Sequence, residues 1–188
     1  GLGVGSLACY ARPGQSWEFY EIDDMVDRVA RTPSLFSFMS SCAAGSQTHL
    51  GDARIVLAQQ DITFDVMVLD AYSSDSIPVH LVTVEAVEMY LDRLAPDGQL
   101  VFHISNRYYD LTQPLARIGR ELGLHAAIRH DSPEEITTPG AQPSLVMVLS
   151  RDHDRTNTLL GDKRWHAVTA DEKPAWTDDR ANVLSALK

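Results

Sequence analysis

Acidic side chains stand where several short apolar runs of this sequence end. Glu21 closes one run, Asp52 follows a second, and Asp70 closes a third and is followed by Asp75. At such positions a carboxylate can accept hydrogen bonds from ribose hydroxyls or from the amino group of adenine. One that faces a crevice can also take a proton from a substrate. These residues predict a nucleoside site with a general base beside it.

A glycine-rich turn, Gly1-Leu-Gly3-Val-Gly5-Ser6, precedes the first of these acids. Its glycines allow a tight turn and a close approach of the backbone to a ligand at a helix N-terminus. Such a turn is weak evidence alone. Glu21, one strand later, strengthens it, because an acid in that position binds both ribose hydroxyls. Gly1, Gly3, Gly5 and Glu21 are therefore predicted to bind a nucleoside.

Two roles remain open for Asp52 in the segment Gly51-Asp52-Ala53-Arg54. Its carboxylate, with the backbone amide of Ala53, could recognise adenine. Alternatively, Asp52 could simply cap the following helix, which aspartate does well.

Asp70 ends the most apolar run of the chain, where burial of the carboxyl group would raise its pKa and suit it to act as a general base. The polar loop that follows, with Asp75 in it, is a candidate lid over the site. The alternative is that Asp70 only caps this loop.

The elements that must position these residues alternate between strand and helix. Strands are predicted at Trp17–Ile22, Thr48–Leu50, Phe64–Leu69, Leu100–Ile104, His125–Arg129 and Ser144–Leu149. Helices are predicted to end at Arg31 and to span Ala53–Gln60, Thr83–Leu94, which the turn Pro96-Asp97-Gly98 closes, and Leu111–Leu122. This order predicts an α/β fold, a mostly parallel sheet with helices on both faces, and ligands at the carboxyl ends of its strands. The continuous apolar run 64–69 predicts a buried strand.

We expect residues 1–188 to form a single nucleoside-binding domain with an irregular tail from about residue 151, which Trp165 and Trp176 anchor. The sequence begins at the glycine turn itself, whereas nucleotide-binding turns of this type follow a strand. We therefore expect the chain to be a piece of a longer protein whose first strand, in the middle of the sheet, precedes Gly1.

Composition narrows the function further. The net charge is −10 and no cluster of lysine or arginine stands out, which argues against a nucleic-acid partner. Cys9 and Cys42 have no metal-type spacing, and we expect both to be reduced thiols in the cytoplasm. No apolar run approaches the length of a membrane span, so no membrane contact is expected of this segment.

Taken together, these motifs resemble the spermidine synthase (polyamine aminopropyltransferase) family, within the Rossmann-like methyltransferase superfamily. The family's glycine loop looks like Gly1-Leu-Gly3-Val-Gly5, and its ribose-binding acid is similar to Glu21. Its adenine-contacting Gly-Asp-Ala resembles Gly51-Asp52-Ala53, and its catalytic strand end resembles Asp70 with Asp75. The closing segment 176–182 is also similar to one found in spermidine-synthase-like proteins.

The resemblance implies transfer of an aminopropyl group from decarboxylated S-adenosylmethionine to putrescine or a similar amine. Asp70 would then accept the amine's proton, and Asp75 would pair with an ammonium group of the acceptor. Asp70 would also contact the donor. No metal is implied, because the sulfonium is already a good leaving group. The partners are a small-molecule amine and, as in the family's dimers, a second copy of the chain.

Three alternatives stay open at the level of sequence. A methyltransferase that uses S-adenosylmethionine shares the glycine loop, Glu21 and Asp52. A non-catalytic nucleoside-binding domain is the second. An NAD dehydrogenase is the third, and it is disfavoured because the last strand, 144–149, looks antiparallel, which is typical of a methyltransferase-type sheet.

Overall fold

The protein is described here by a computed structural model over residues 1–71, 78–134 and 141–188. The chain divides into two compact units, Gly1–Gln60 and Asp61–Lys188. Each unit contains its own hydrogen-bonded sheet. That the two units act as one nucleoside-binding domain stays a prediction.

The first unit follows the predicted alternation of strand and helix. Its elements are a 3-10 helix at Ser6–Tyr10, β1 (Glu18–Glu21), α1 (Asp24–Ala30), α2 (Phe38–Cys42), β2 (Gln47–Leu50) and α3 (Ala53–Ala58). β1 and β2 are parallel, and Glu21 is in register with Leu50. The apolar core consists of Leu2, Ala8, Phe19, Ala30, Met39 and Ala43. This core holds the glycine turn, through Leu2, against the strand that ends at Glu21.

The two cysteines of this unit form a disulfide, so the prediction of reduced thiols was wrong. Cys9 and Cys42 have their Cα atoms 4.9 Å apart, although 33 positions separate them in sequence. The bond joins the 3-10 helix after the glycine turn to α2. Tertiary packing brings these helices together, which the spacing of two cysteines does not reveal. The expectation of a cytoplasmic protein rested partly on reduced thiols and loses that support.

The second unit is built on a five-stranded sheet in the order β3-β4-β6-β5-β7. Its elements are β3 (Phe64–Leu69), α4 (Val84–Asp92), β4 (Leu94–His103), α5 (Thr112–Glu121), β5 (His125–Asp131), β6 (Ser144–Ser150), α6 (His153–Leu160) and β7 (Trp165–Ala167), with 3-10 helices at Val79–Leu81 and Val183–Ala186. β3 and β4 are parallel, whereas β6 lies antiparallel between β4 and β5. The antiparallel orientation predicted for the strand at 144–149 is therefore what the structure has.

Two strand predictions in this unit need correction. β3 has the predicted bounds but not the predicted burial, because Val66 and Val68 are exposed on the outermost strand of the sheet. β4 begins at Leu94, so the predicted turn at 96–98 belongs to the strand. A shift in register between Phe64 and Val66 accommodates this segment beside β3.

The tail beyond residue 151 is more ordered than predicted. It supplies α6, which begins after the N-cap Asp152, and β7, which pairs antiparallel with β5. Arg117 of α5 is buried and forms a two-pronged ion pair with Asp171, with N–O distances of 2.5 and 2.6 Å. Trp176 is buried, as predicted, and its carbonyl accepts a hydrogen bond from Val84 at the start of α4. In the described ranges, no helix combines the length and apolar character needed to cross a membrane.

Candidate functional site

The carboxylate of Glu21 lies at the carboxyl end of β1 and is turned toward the glycine loop. Its side chain is only 8% exposed. Oε2 accepts a hydrogen bond from the backbone amide of Leu2 at 2.8 Å, and Oε1 accepts one from Asp23 at 3.1 Å. Glu21 is therefore a buried, hydrogen-bonded acid rather than one solvated at the strand end. Glu21 joins the glycine loop to the end of β1.

The Gly51–Asp52 segment meets the same strand end. The amide of Gly51 donates a hydrogen bond to the carbonyl of Glu21 at 2.9 Å. Gly51 has a φ of 128°, in the region that favours glycine. The structure thus brings together, within the first unit, the glycine loop, Glu21 and Gly51–Asp52 at the carboxyl ends of parallel strands. This is the position at which α/β sheets bind nucleotides.

Asp52 caps α3, which is one of the two roles that the sequence left open. Its Oδ1 accepts hydrogen bonds from the amides of Arg54 at 2.9 Å and Ile55 at 3.3 Å. A cap uses one face of the carboxylate and can coexist with recognition of adenine. Contact of Asp52 and Ala53 with a nucleoside therefore stays a prediction.

The glycine loop takes backbone conformations that only glycine adopts easily. Gly3 has a φ of 55° and Gly5 a φ of 78°. A Cβ atom on Gly5 would lie 2.4 Å from Sδ of Met39, which is itself buried, whereas one on Gly3 would meet no atom within 4 Å. Gly5 is thus required for packing within the unit, and Gly3 keeps the exposed side of the loop clear.

Apolar side chains flank Glu21, a feature that the sequence analysis did not single out. Ile22 directly follows Glu21 and is 72% exposed, and Leu50 and Ile55 are exposed as well. Leu50 is the register partner of Glu21 on β2. These exposed aliphatic side chains beside Glu21 form an apolar surface on which a flat aromatic ring could pack. The sequence did contain a signal for this apolar surface, namely an isoleucine between two acidic residues, Glu21 and the N-cap Asp23.

In the second unit, Asp70 is paired with a histidine. Its Oδ1 lies 2.9 Å from Nδ1 of His103, and the two side chains are 54% and 35% exposed. The hydrogen bond with His103 is the main cause that lowers the pKa of Asp70, and the same bond raises the pKa of His103. The raised pKa expected for a buried Asp70 is thus not observed, because the carboxylate is half exposed and hydrogen-bonded.

A cavity of about 340 Å³ opens just beyond the carboxyl end of β4. Cationic or protonatable groups line it, namely Arg107, His130 and Lys188. Nζ of Lys188 donates a hydrogen bond to the carbonyl of Asn106 at 2.6 Å. This cavity could not be predicted from the sequence, since its lining residues on β5 and at Lys188 are brought together only by the tertiary structure.

Asp75 and most of the predicted lid fall outside the described residues. Within the described ranges, no group of three or more His, Cys, Asp or Glu side chains is arranged to hold a metal ion. The described residues thus hold one candidate feature in each unit: the strand end formed by the glycine loop, Glu21 and Gly51–Asp52 in the first, and the Asp70–His103 pair in the second.

Comparisons with known proteins agree with this geometry. No protein-family model matches the chain. A polyamine aminopropyltransferase from Vibrio vulnificus is 30% identical over 118 residues, which cover 58% of this chain. The match spans 38% of the length of that relative. The resemblance to aminopropyltransferases inferred from the motifs is thereby confirmed.

Solved structures show the fold. A probable spermidine synthase from Corynebacterium glutamicum superposes with a TM-score of 0.64 at 19% identity, over 95% of this chain and 70% of that chain. A human methyltransferase-like protein 13 in complex with SAH gives 0.60 at 19% identity, over 86% and 75%. A spermidine synthase in complex with the transition-state analogue AdoDATO gives 0.60 at 16%, over 81% and 53%. The chain has the predicted Rossmann-like methyltransferase fold. The prediction of a mostly parallel sheet was wrong for the second unit, where β3 and β4 pair in parallel and the other three described pairings are antiparallel.

Proposed function

We propose that this chain is the donor-binding and catalytic part of an aminopropyltransferase. It would transfer an aminopropyl group from decarboxylated S-adenosylmethionine to putrescine or a similar amine. The observation that carries this proposal is the meeting of the glycine loop, Gly51–Asp52 and the buried carboxylate of Glu21 at one strand end. The similarity to a polyamine aminopropyltransferase supports the choice of reaction.

The donor's adenosine part fits the chemistry of the first unit. Glu21 would accept hydrogen bonds from the ribose hydroxyls, as an acid one strand after the glycine loop does in related folds. Asp52, with the backbone of Ala53, would recognise the adenine edge while also capping α3. The exposed side chain of Ile22 would cover one face of the base, since burial of apolar surface favours such contact.

The reaction itself needs a neutral amine in line with the carbon next to the sulfonium. Asp70 serves the acceptor side of the reaction in this proposal, because it directly follows β3 and its carboxylate is accessible. Asp75 would pair with an ammonium group of the acceptor. Positioning of the two reactants supplies much of the rate, since the sulfonium leaves readily without a metal.

A methyltransferase is the second candidate, because the human methyltransferase-like protein 13 superposes as well as a spermidine synthase does. The two functions differ at the donor's carboxylate. S-adenosylmethionine carries a carboxylate that a methyltransferase must satisfy with a hydrogen-bond donor. Decarboxylated S-adenosylmethionine lacks this group and needs no such partner. Calorimetric titration of the full-length protein with both donors separates the candidates.

The experiment that tests the proposal compares the wild type with Asp70→Asn in the full-length protein. Loss of the Asp70 carboxylate, whether it takes the acceptor's proton or holds the group that does, should lower the rate on the order of 10²–10⁴-fold with nucleoside affinity nearly intact. Asp65→Asn is the matched control, because Asp65 lies within β3 rather than at its end. Near wild-type turnover by Asp70→Asn would refute the assignment.

A further inference from the structure

The pairing of Asp70 with His103 follows from the register of two parallel strands. Leu69 of β3 is the partner of Phe102 of β4, so the next residues along, Asp70 and His103, lie side by side where the strands end. Their side chains meet at 2.9 Å between Oδ1 and Nδ1. Asp70 directly follows β3 and His103 is the last residue of β4, so the register of the two strands places both residues.

The contact decides which nitrogen of His103 carries the proton. A carboxylate accepts hydrogen bonds, so Nδ1 must be the donor, and in the neutral ring Nε2 is then the nitrogen with a free lone pair. Among the described residues, Nε2 of His103 has no hydrogen-bond partner, and the side chain is 35% exposed. The imidazole therefore presents a proton acceptor at the edge where ligands of such sheets bind.

We propose that Nε2 of His103, rather than the carboxylate of Asp70, takes the proton from the acceptor, and that Asp70 is a positioning residue that fixes the tautomer of His103. This inference rests on the proposed function, because it assumes an acceptor that loses a proton before it attacks a sulfonium donor. For an amine acceptor it holds with decarboxylated and with intact S-adenosylmethionine, because an amine attacks either donor only in its neutral form.

The electrostatics of the pair support this division of roles. The hydrogen bond with His103 lowers the pKa of Asp70 and so weakens this carboxylate as a base. The hydrogen bond and charge of Asp70 raise the pKa of His103. A base is most effective when its pKa lies near the working pH, which an imidazole satisfies better than this carboxylate. β6 pairs with β4 on the side away from β3, and it places the uncharged side chain of Val146 beside His103. The charged group that faces the imidazole from the neighbouring strands is therefore the carboxylate of Asp70.

An acceptor ammonium gives one proton to Nε2 of neutral His103 and becomes a neutral amine. The nitrogen lone pair then forms a bond to the carbon next to the sulfonium, and the carbon–sulfur bond breaks with its electron pair going to sulfur. The products are a secondary ammonium and a neutral thioether nucleoside. The imidazolium returns its proton to solvent.

The kinetic test measures kcat/KM against pH between about 5 and 9 in the full-length protein, with both donors and several diamines. In the wild type the rate should rise tenfold per pH unit below the pKa of His103 and level off above it. His103→Gln should lower the plateau on the order of 10²–10⁴-fold and remove this inflection. Asp70→Asn should move the inflection to lower pH, because the carboxylate that raises the pKa is gone.

His125→Gln is the matched control. His125 begins β5, at the level of Gln99 and thus away from the carboxyl end of β4, and it contacts His153. This variant should keep the rate and the inflection of the wild type. A His103→Gln variant that keeps both would overturn the role of His103 while leaving the proposed function in place. Absence of turnover by the wild type with both donors would instead overturn the proposed function and the catalytic role together.

A nuclear magnetic resonance titration of His103 tests the pair without turnover. The neutral ring should carry its proton on Nδ1, and the pKa should fall in Asp70→Asn. An unchanged titration in Asp70→Asn, or a neutral tautomer protonated on Nε2, would overturn the pairing whatever the protein catalyses.

Discussion

At the scale of single residues, Glu21 is the side chain on which the proposed nucleoside binding depends most. Its carboxylate already holds the amides of Leu2 and Asp23, so any ligand contact is made by a group that the fold has fixed in place. Glu21→Gln keeps the shape but offers one acceptor oxygen instead of two. It should weaken binding of methylthioadenosine by about 1.5–3 kcal/mol, the range for a hydrogen bond to a charged group.

Calorimetry on the full-length protein measures this loss, and thermal unfolding reports separately on the fold. Glu18→Gln is the control, since it makes the same chemical change at the other end of β1, where Glu18 contacts Nε2 of His49 at 2.7 Å. Equal affinities of Glu21→Gln and the wild type would rule out the ribose contact.

Asp52 permits a second test in which capping and recognition are separated. Asn caps helices about as well as Asp, so Asp52→Asn should leave stability nearly unchanged while it weakens adenosine binding. Asp52→Ala should in addition lose about 1 kcal/mol of stability. Asp152→Ala removes a similar cap from α6 and should lower stability without affecting the nucleoside. If Asp52→Asn binds the nucleoside like the wild type, Asp52 only caps α3.

The sequence identified Glu21, Asp52 and Asp70 because an acid after an apolar run marks the end of a strand. It did not pair Asp70 with His103, since that contact depends on the register of β3 against β4. The positions of these acids at strand ends were thus accessible from sequence, whereas the contact between Asp70 and His103 was not.

At the scale of elements, the glycine loop is held by packing against α2. Gly5→Ala would strain a backbone with a φ of 78° and push its Cβ into Met39. The backbone contributes about 1–2 kcal/mol of destabilisation, and the forced displacement of a buried side chain adds about 1–3 kcal/mol. Gly3→Ala carries the backbone strain alone, because its Cβ would meet no atom within 4 Å.

Denaturant unfolding of both variants measures the difference. Gly5→Ala should be the less stable of the two by the cost of displacing Met39. Equal stabilities would mean that the loop does not pack on α2 as described.

The bounds of β3 were predictable because its run of six residues, apolar except for Asp65, ends directly before Asp70. α6 and β7 were missed for different reasons. α6 has a polar sequence, His-Asp-Arg-Thr-Asn-Thr, whose only signal is the cap Asp152, and β7 is three residues long. Short or polar elements are fixed by their neighbours more than by their own pattern.

At the scale of the whole molecule, the tail is tied to the second unit by the ion pair between Arg117 and Asp171. The hydrogen bond from Arg117 lowers the pKa of Asp171 from 3.8 to about 2. Because the pKa of Asp171 is lower in the folded than in the unfolded state, its ion pair stabilises the fold at pH values above the unfolded-state pKa. This stabilisation is lost as the pH falls toward 2. The wild type should therefore lose stability between about pH 4 and pH 2 more steeply than Asp171→Asn does.

Thermal unfolding between pH 7 and pH 2 provides the measurement. At pH 7, Asp171→Asn should be less stable than the wild type, because it leaves the buried guanidinium of Arg117 without its counter-charge. Asp97→Asn is the control, since the pair of Asp97 with Arg155 is exposed on both sides. Identical acid profiles for Asp171→Asn and the wild type would show that the ion pair does not hold the tail.

Contacts between distant segments, such as this ion pair and the Cys9–Cys42 disulfide, could not be predicted from sequence patterns. The α/β class was predictable because strands and helices alternate along the sequence, and the antiparallel β6 was predictable because a long loop rather than a helix is predicted before it.

The central proposal is that the protein transfers an aminopropyl group from a nucleoside sulfonium to an amine, and its most direct measurement is product analysis. The full-length protein is supplied with decarboxylated S-adenosylmethionine and putrescine, and chromatography follows the release of methylthioadenosine. The account predicts one methylthioadenosine for each aminopropylated amine. Formation of S-adenosylhomocysteine from S-adenosylmethionine, with no methylthioadenosine from any diamine, would contradict it.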